Sequence, residues 1–264
     1  MFLRLVTVTF TVLFTFFLSV ILNSQQHEIL WQFDIDDSAY GMTAGGDIDG
    51  DGKLELVFGC YRNDGNIYAL NAEDGSLLWK YNAKHPFGDG CNDVAPILFD
   101  IDGDGVLEVI VPSSCNPIVT CFNGKDGSVI WQTATRGSDS PPTIADIDKD
   151  GKFECLFGEF GGYVMCVDVL TGSFKWEIIV DKNSWIQTAP TIADLDSDGN
   201  LDFIVSTWNA VEGDTNRIYA YRGYDQKLLW AYDIQKYTYH GTSVTDLDDD
   251  GLPEIVIGDY SGTL

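Results

Sequence analysis

The chain has 264 residues, with 41 acidic against 15 basic side chains and a formal charge of −26, yet 45% of it is hydrophobic, including 15 Phe, 12 Tyr and 7 Trp. An apolar fraction of that size supports a large packed core and excludes wholesale disorder. A field this negative repels phosphate backbones and anionic lipid heads, and the basic residues form no run, so nucleic-acid binding is excluded.

Residues 1–24 read as a signal peptide or N-terminal anchor. Arg4 is followed by an uncharged run from Leu5 to Leu22 and then by polar Asn23 to Gln26, with no Ala-x-Ala site after it. Cleavage and retention both stay open, and both place residues 25–264 outside the cytoplasm, secreted or at the cell surface. Contact with a membrane is expected only through residues 5–22, if they are retained. Six cysteines permit disulfides in that compartment. Beyond the leader, ILWQFD around Trp31 has the pattern of an outer strand without the three strands that should precede it.

From there the chain repeats itself. DIDGDGKLE at Asp47, DIDGDGVLE at Asp100, DIDKDGKFE at Asp146, DLDSDGNLD at Asp194 and DLDDDGLPE at Asp246 recur at intervals of 46 to 53 residues. Each run lies between a short apolar segment such as PTIA and another such as LVFG or FIVS, so it joins two strands. A second motif follows in phase, ending in Trp79, Trp131, Trp176 and Trp230. It is a hairpin turned by Asp74-Gly75, Asp126-Gly127 and Thr171-Gly172, whereas Asp225-Gln226 implies a different turn. Each unit is thus four antiparallel strands in about 50 residues, one blade of an all-β propeller, with the tryptophans as packing between blades. Residues 25–264 form this propeller, closed by the N-terminal strand. The segment GDYSGTL stops as a third strand begins, which leaves either five blades or the front of a six- to eight-bladed ring. In ECLFGEFGGYVMC a turn through Glu159 to Gly162 would set Cys155 opposite Cys166, as a disulfide or as two buried thiols.

Within each acidic run carboxylates fall at positions 1, 3, 5 and 9 with glycine at 6: Asp47, Asp49, Asp51 and Glu55; Asp100, Asp102, Asp104 and Glu108; Asp146, Asp148, Asp150 and Glu154; Asp194, Asp196, Asp198 and Asp202; Asp246, Asp248, Asp250 and Glu254. Alternate side chains converge when the backbone curls. Position 7 varies, being Lys53, Val106, Lys152, Asn200 and Leu252, which suits a ligand supplied by the backbone carbonyl. An all-oxygen set favours a hard cation, and up to five Ca²⁺ are expected. The EF-hand needs a bidentate Glu at position 12. That position holds Phe58, Val111, Phe157, Val205 and Ile257, so the EF-hand is rejected.

The D-x-D-x-D-G-x-x-[DE] loops within four-stranded repeats resemble the FG-GAP/VCBS repeat proteins, including the integrin α-subunit heads, and the tryptophan hairpins resemble PQQ-type propellers. The resemblance implies that the acids at positions 1, 3, 5 and 9 ligate metal. It does not name a ligand, and no integrin function transfers. If the acidic loops lie on one face, the opposite face carries the loops that bind partners, and its candidates are Tyr61, Arg62, His85, Phe87, Arg136, Trp185, Trp208, Tyr237, Tyr239 and His240. The expected function is a non-catalytic, calcium-stabilised extracellular propeller that binds a protein or a polysaccharide, as in adhesion. Alternatives are a polysaccharide lyase of rhamnogalacturonan-lyase type, a PQQ dehydrogenase and a structural surface-assembly module.

Overall fold

The computed structural model describes residues 28–84, 90–92, 94–209, 215–262 and 264. The leader at residues 1–24, and the candidates His85 and Phe87, lie outside the described residues. Two units are distinguished, Met1–Phe33 and Asp34–Leu264. In the first, residues 28–33 form no strand, so the outer strand expected around Trp31 is not seen.

The second unit is built only of strands among the described residues. β1 (Ala44–Gly46), β2 (Glu55–Gly59), β3 (Asn66–Asn71) and β4 (Leu77–Asn82) pair in sequence order as one antiparallel sheet. The pattern recurs with β5 (Ile97–Phe99), β6 (Glu108–Pro112), β7 (Ile118–Phe122) and β8 (Val129–Ala134), then with β9 (Thr143–Ala145), β10 (Glu154–Glu159), β11 (Tyr163–Asp168) and β12 (Phe174–Ile179). A fourth sheet holds β13 (Thr191–Ala193), β14 (Asp202–Ser206), β15 (Asn216–Arg222) and β16 (Leu228–Ile234); the last has only β17 (Ser243–Thr245) and β18 (Glu254–Val256). After β18 residues 257–262 run as loop and turn, so no third strand starts in GDYSGTL among the described residues. The first strands of successive sheets are neighbours, β1 by β5, β9 by β13 and β13 by β17.

The core lies between sheets. Ile48, Val57, Ile67 and Trp79 of the first sheet and its loop pack with Val109, Val111 and Phe122 of the second. Each of the next sheets repeats this with its neighbour. Strands β6, β10 and β14 are buried along their whole length, as expected of strands covered on both faces. The tryptophans dock across the gap. Trp79 Nε1 donates to Gly124 O at 2.6 Å and Trp131 Nε1 to Val169 O at 3.1 Å. A Cβ on Gly127 would stand 2.7 Å from the Trp79 ring, and one on Gly172 2.5 Å from the Trp131 ring, so the turn glycines make room for the preceding blade's indole as well as adopting positive φ.

Two local expectations are corrected. The Asp225-Gln226 turn is not different: Gln226 takes φ 54° and donates its N–H to Arg222 O at 3.0 Å, as Gly75 does to Asn71 O at 2.9 Å. The ladder on either side fixes the turn, and glutamine accepts the left-handed conformation. The turn after β10 is shorter than expected, with Glu159 opposite Tyr163, so Cys155 pairs with Val167 and Cys166 with Leu156. A slip of one residue sends the two thiols to opposite faces. Both are buried and free, and the disulfide that does form joins Cys91 to Cys115.

Candidate metal centres and the opposite face

All five acidic loops close with the same hydrogen bonds. The position-1 carboxylate accepts the position-6 glycine N–H, as Asp47 does from Gly52 at 3.0 Å and Asp246 from Gly251 at 2.9 Å. The position-3 carboxylate accepts the position-5 N–H, and position 5 accepts the N–H of position 7. Position 4 is left-handed throughout, including Lys149 (φ 59°), Ser197 (φ 59°) and Asp249 (φ 61°), a conformation that costs L-residues about 1 kcal/mol. The position-9 acid opens the second strand and accepts the N–H of position 2: Glu55 from Ile48 at 2.9 Å, Glu108 from Ile101 at 3.0 Å, Glu154 from Ile147 at 3.1 Å, Asp202 from Leu195 at 2.9 Å and Glu254 from Leu247 at 2.7 Å.

This wiring gathers carboxylate oxygens. In four loops those of positions 1, 3 and 9 lie within 4.8 Å of one another: Asp47, Asp49 and Glu55; Asp100, Asp102 and Glu108; Asp146, Asp148 and Glu154; Asp194, Asp196 and Asp202. In the last loop the trio is Asp246, Asp248 and Asp250. Asp51, Asp104, Asp150 and Asp198 therefore stand outside the trios of their loops, and Glu254 outside that of the last. At position 7, Lys53, Val106, Lys152, Asn200 and Leu252 each donate the backbone N–H to the position-5 carboxylate.

The trios fit a hard cation on their own geometry. Glu55 is 0% exposed and its Oε1 has no hydrogen-bond partner, leaving a buried acceptor beside two further carboxylates. Burial, and then the neighbouring acids, push the carboxyls of Glu55, Glu108 and Asp202 above the ordinary range, against the pull of the backbone N–H. A cation removes both penalties. The third loop is different. Lys175 Nζ donates to Glu154 Oε1 at 2.6 Å and to Asp148 Oδ2 at 2.9 Å. Burial opposes that ammonium's charge, but the two hydrogen bonds prevail and its pKa is raised.

Acidic loops and tryptophan hairpins share one end of the sheets, and antiparallel alternation puts the remaining connections at the other. There the residue fourteen after each position-1 Asp donates its N–H to the residue nine before it: Tyr61 to Ser38, Ser114 to Cys91, Phe160 to Gly137, Trp208 to Trp185 and Tyr260 to Tyr237, at 2.7 to 3.2 Å. In the second blade the Cys91–Cys115 bridge reinforces that tie. In the last three blades these positions, Gly137 excepted, carry rings that touch in series. Phe160 meets Trp185 at 4.5 Å, Trp185 stacks on Trp208 at 5.0 Å, and Trp208 leads to Tyr237 at 5.4 Å, which meets Tyr260 at 4.8 Å and Tyr239 at 5.7 Å. Trp185, Tyr239 and Tyr260 are 40%, 41% and 60% exposed. Beside them Gln187 donates to Asp139 Oδ2 at 3.0 Å and keeps a buried Oε1 without a partner.

Of the face candidates, the structure thus brings together Trp185, Trp208, Tyr237 and Tyr239. Tyr61 and Arg62 form a separate group in which Tyr61 meets Tyr40 at 5.4 Å and Arg62 lies over the Tyr61 ring. Arg136 is committed to structure, pairing with buried Glu159 and with Glu177 and covering Tyr163. His240 is exposed, with its backbone held by Thr238. Phe160 and Tyr260 were missed. Their signal is positional, since the offset of fourteen from the first Asp holds Tyr61, Phe160, Trp208 and Tyr260 in four of five repeats.

Residues 47–111 match the family model of the FG-GAP-like repeat. No curated protein sequence matches the chain. Among solved structures it is similar to BamB from Moraxella catarrhalis (18% identity, TM-score 0.60), covering 89% of this chain and 62% of that one. It is also similar to the quinohemoprotein alcohol dehydrogenase ADHIIG from Pseudomonas putida HK5 (15%, TM-score 0.61; 86% and 40%) and to the C-terminal domain of PilY1 from Pseudomonas aeruginosa (16%, TM-score 0.53; 72% and 49%). The chain therefore spans less than two thirds of each of these proteins, and the likeness is one of fold. The four-stranded sheets and these neighbours give the protein a β-propeller fold, in which residues 47–111 match an FG-GAP-like repeat.

Proposed function

We propose that the protein is an extracytoplasmic recognition module, stabilised by Ca²⁺ in its acidic loops, that binds a polysaccharide on the aromatic end of its sheets. The observation that carries this reading is the continuous run of part-exposed rings from Phe160 to Tyr260. Aromatic faces stack on the C–H faces of sugar rings. A charge of −26 disfavours polyanions, so a neutral glycan fits best. The Cys91–Cys115 disulfide accords with an oxidising compartment.

Calcium acts by linkage. It binds the folded loops and not the unfolded chain, stabilising by about 1.4 kcal/mol per site for each tenfold excess over its dissociation constant. The test is affinity electrophoresis in gels containing neutral polysaccharides, run with calcium. Trp185→Ala is expected to weaken retardation at least tenfold with Tm within about 3 °C of the parent. Equal retardation of parent and variant by every glycan, or none at all, defeats the glycan reading and leaves a protein ligand as the alternative for this surface.

A further inference from the structure

We propose that Lys175 is a built-in cation for the third acidic loop, so that this loop takes no divalent ion while the loops wired like it do. The inference rests on the calcium reading of those other loops. In the first loop buried Glu55 accepts the Ile48 N–H through Oε2, and its Oε1 is left without a partner. Glu154 makes the equivalent bond from Ile147 through Oε2, but its Oε1 receives Lys175 Nζ at 2.6 Å. The same ammonium holds Asp148 at position 3 at 2.9 Å and lies 3.7 Å from Asp150 at position 5. Asp146 Oδ1 at position 1 is buried and has no hydrogen-bond partner, so the ammonium meets the acids of positions 3, 5 and 9 and not that of position 1.

The position of Lys175 explains how it reaches the loop. In each four-stranded sheet the ladder between the third and fourth strands shifts by one residue just before the tryptophan, and the residue stepped over is Leu78, Ile130, Lys175 or Leu229. Only the third blade has a charge there. Among the described residues no other Lys or Arg makes an ion pair with a position-9 acid. Calcium needs carboxylate oxygens at about 2.3–2.6 Å, and it cannot share two of them with an ammonium whose hydrogen bonds are already made. A divalent ion seated in the trio would also be repelled by the ammonium beside it. The tether makes the lysine present at all calcium concentrations.

The test counts bound calcium on the full chain by equilibrium dialysis. Lys175→Leu, which installs the residue found at this register in two other blades, is expected to bind one more Ca²⁺ than the parent. Glu154→Gln in the parent is expected to leave the count unchanged, whereas Glu55→Gln lowers it by one. An equal count in the parent and Lys175→Leu, or loss of one Ca²⁺ from Glu154→Gln, overturns the proposal and leaves the calcium reading intact. No calcium on either protein overturns both. If the leucine variant does not fold, the Glu154→Gln count decides.

Discussion

The two ends of the sheets are built by opposite rules. At one end five loops use the same residues and the same hydrogen bonds, down to an acid at the start of the second strand that accepts the N–H of loop position 2. At the other end a single backbone bond recurs, and each blade finishes it differently, with a disulfide in the second, Phe160 in the third, a tryptophan pair in the fourth and tyrosines in the fifth. A feature repeated in every blade can stabilise every blade. A feature that differs from blade to blade can distinguish one ligand from another. Stability and recognition should therefore be separable by perturbing one end at a time.

The largest effect is expected at the acidic end. Stripping divalent ions should lower Tm by about 10–20 °C relative to excess calcium, since several sites of about 1.4 kcal/mol each act together and each kcal/mol shifts Tm by about 2–4 °C at this size. A Tm that does not move on metal removal, followed by differential scanning calorimetry, breaks the comparison at its first term. Cys115→Ser tests the other end. The bridge closes a separation of 24 residues, so its loss should cost about 3 kcal/mol in urea unfolding. The site of the Phe160 to Tyr260 rings should survive it, with glycan retardation retained at low temperature.

A smaller effect is expected from pH. The carboxyls of Glu55, Glu108 and Asp202 are raised by burial and by neighbouring acids, so the folded metal-free chain holds more protons than the unfolded one just above the ordinary carboxylate range. Their contribution is fully present below the unfolded pKa and is lost as pH rises through the folded value. Metal-free Tm should therefore fall from about pH 4 towards neutrality. Saturating calcium, which favours the ionised carboxylates, should reverse the slope. The smallest change is Ser197→Gly, which relieves a left-handed serine at φ 59° and should raise stability by about 0.5–1 kcal/mol in chemical denaturation.

Most of the acidic end was legible in the sequence because the repeat is short-range. Asp-x-Asp-x-Asp-Gly with an acid at position 9 sets its own turn, its own strand start and its own cluster of oxygens. What could not be read there was the entry of Lys175, which comes from the fourth strand through a ladder shift. Likewise a turn one residue shorter than expected put Cys155 and Cys166 on opposite faces, and no local pattern marked Cys91 and Cys115 as partners.

The sequence by itself determined the blade, its four strands, the acidic loop and the tryptophan that closes it, because each depends on residues near in the chain and on a period of two or a fixed turn. Tertiary structure alone decided which rings form one surface and which cation meets which carboxylate. Those pairings join residues of different strands and blades, from Phe160 to Tyr260 and from Lys175 to Asp148, and are set by strand register and sheet stacking rather than by the spacing of any motif.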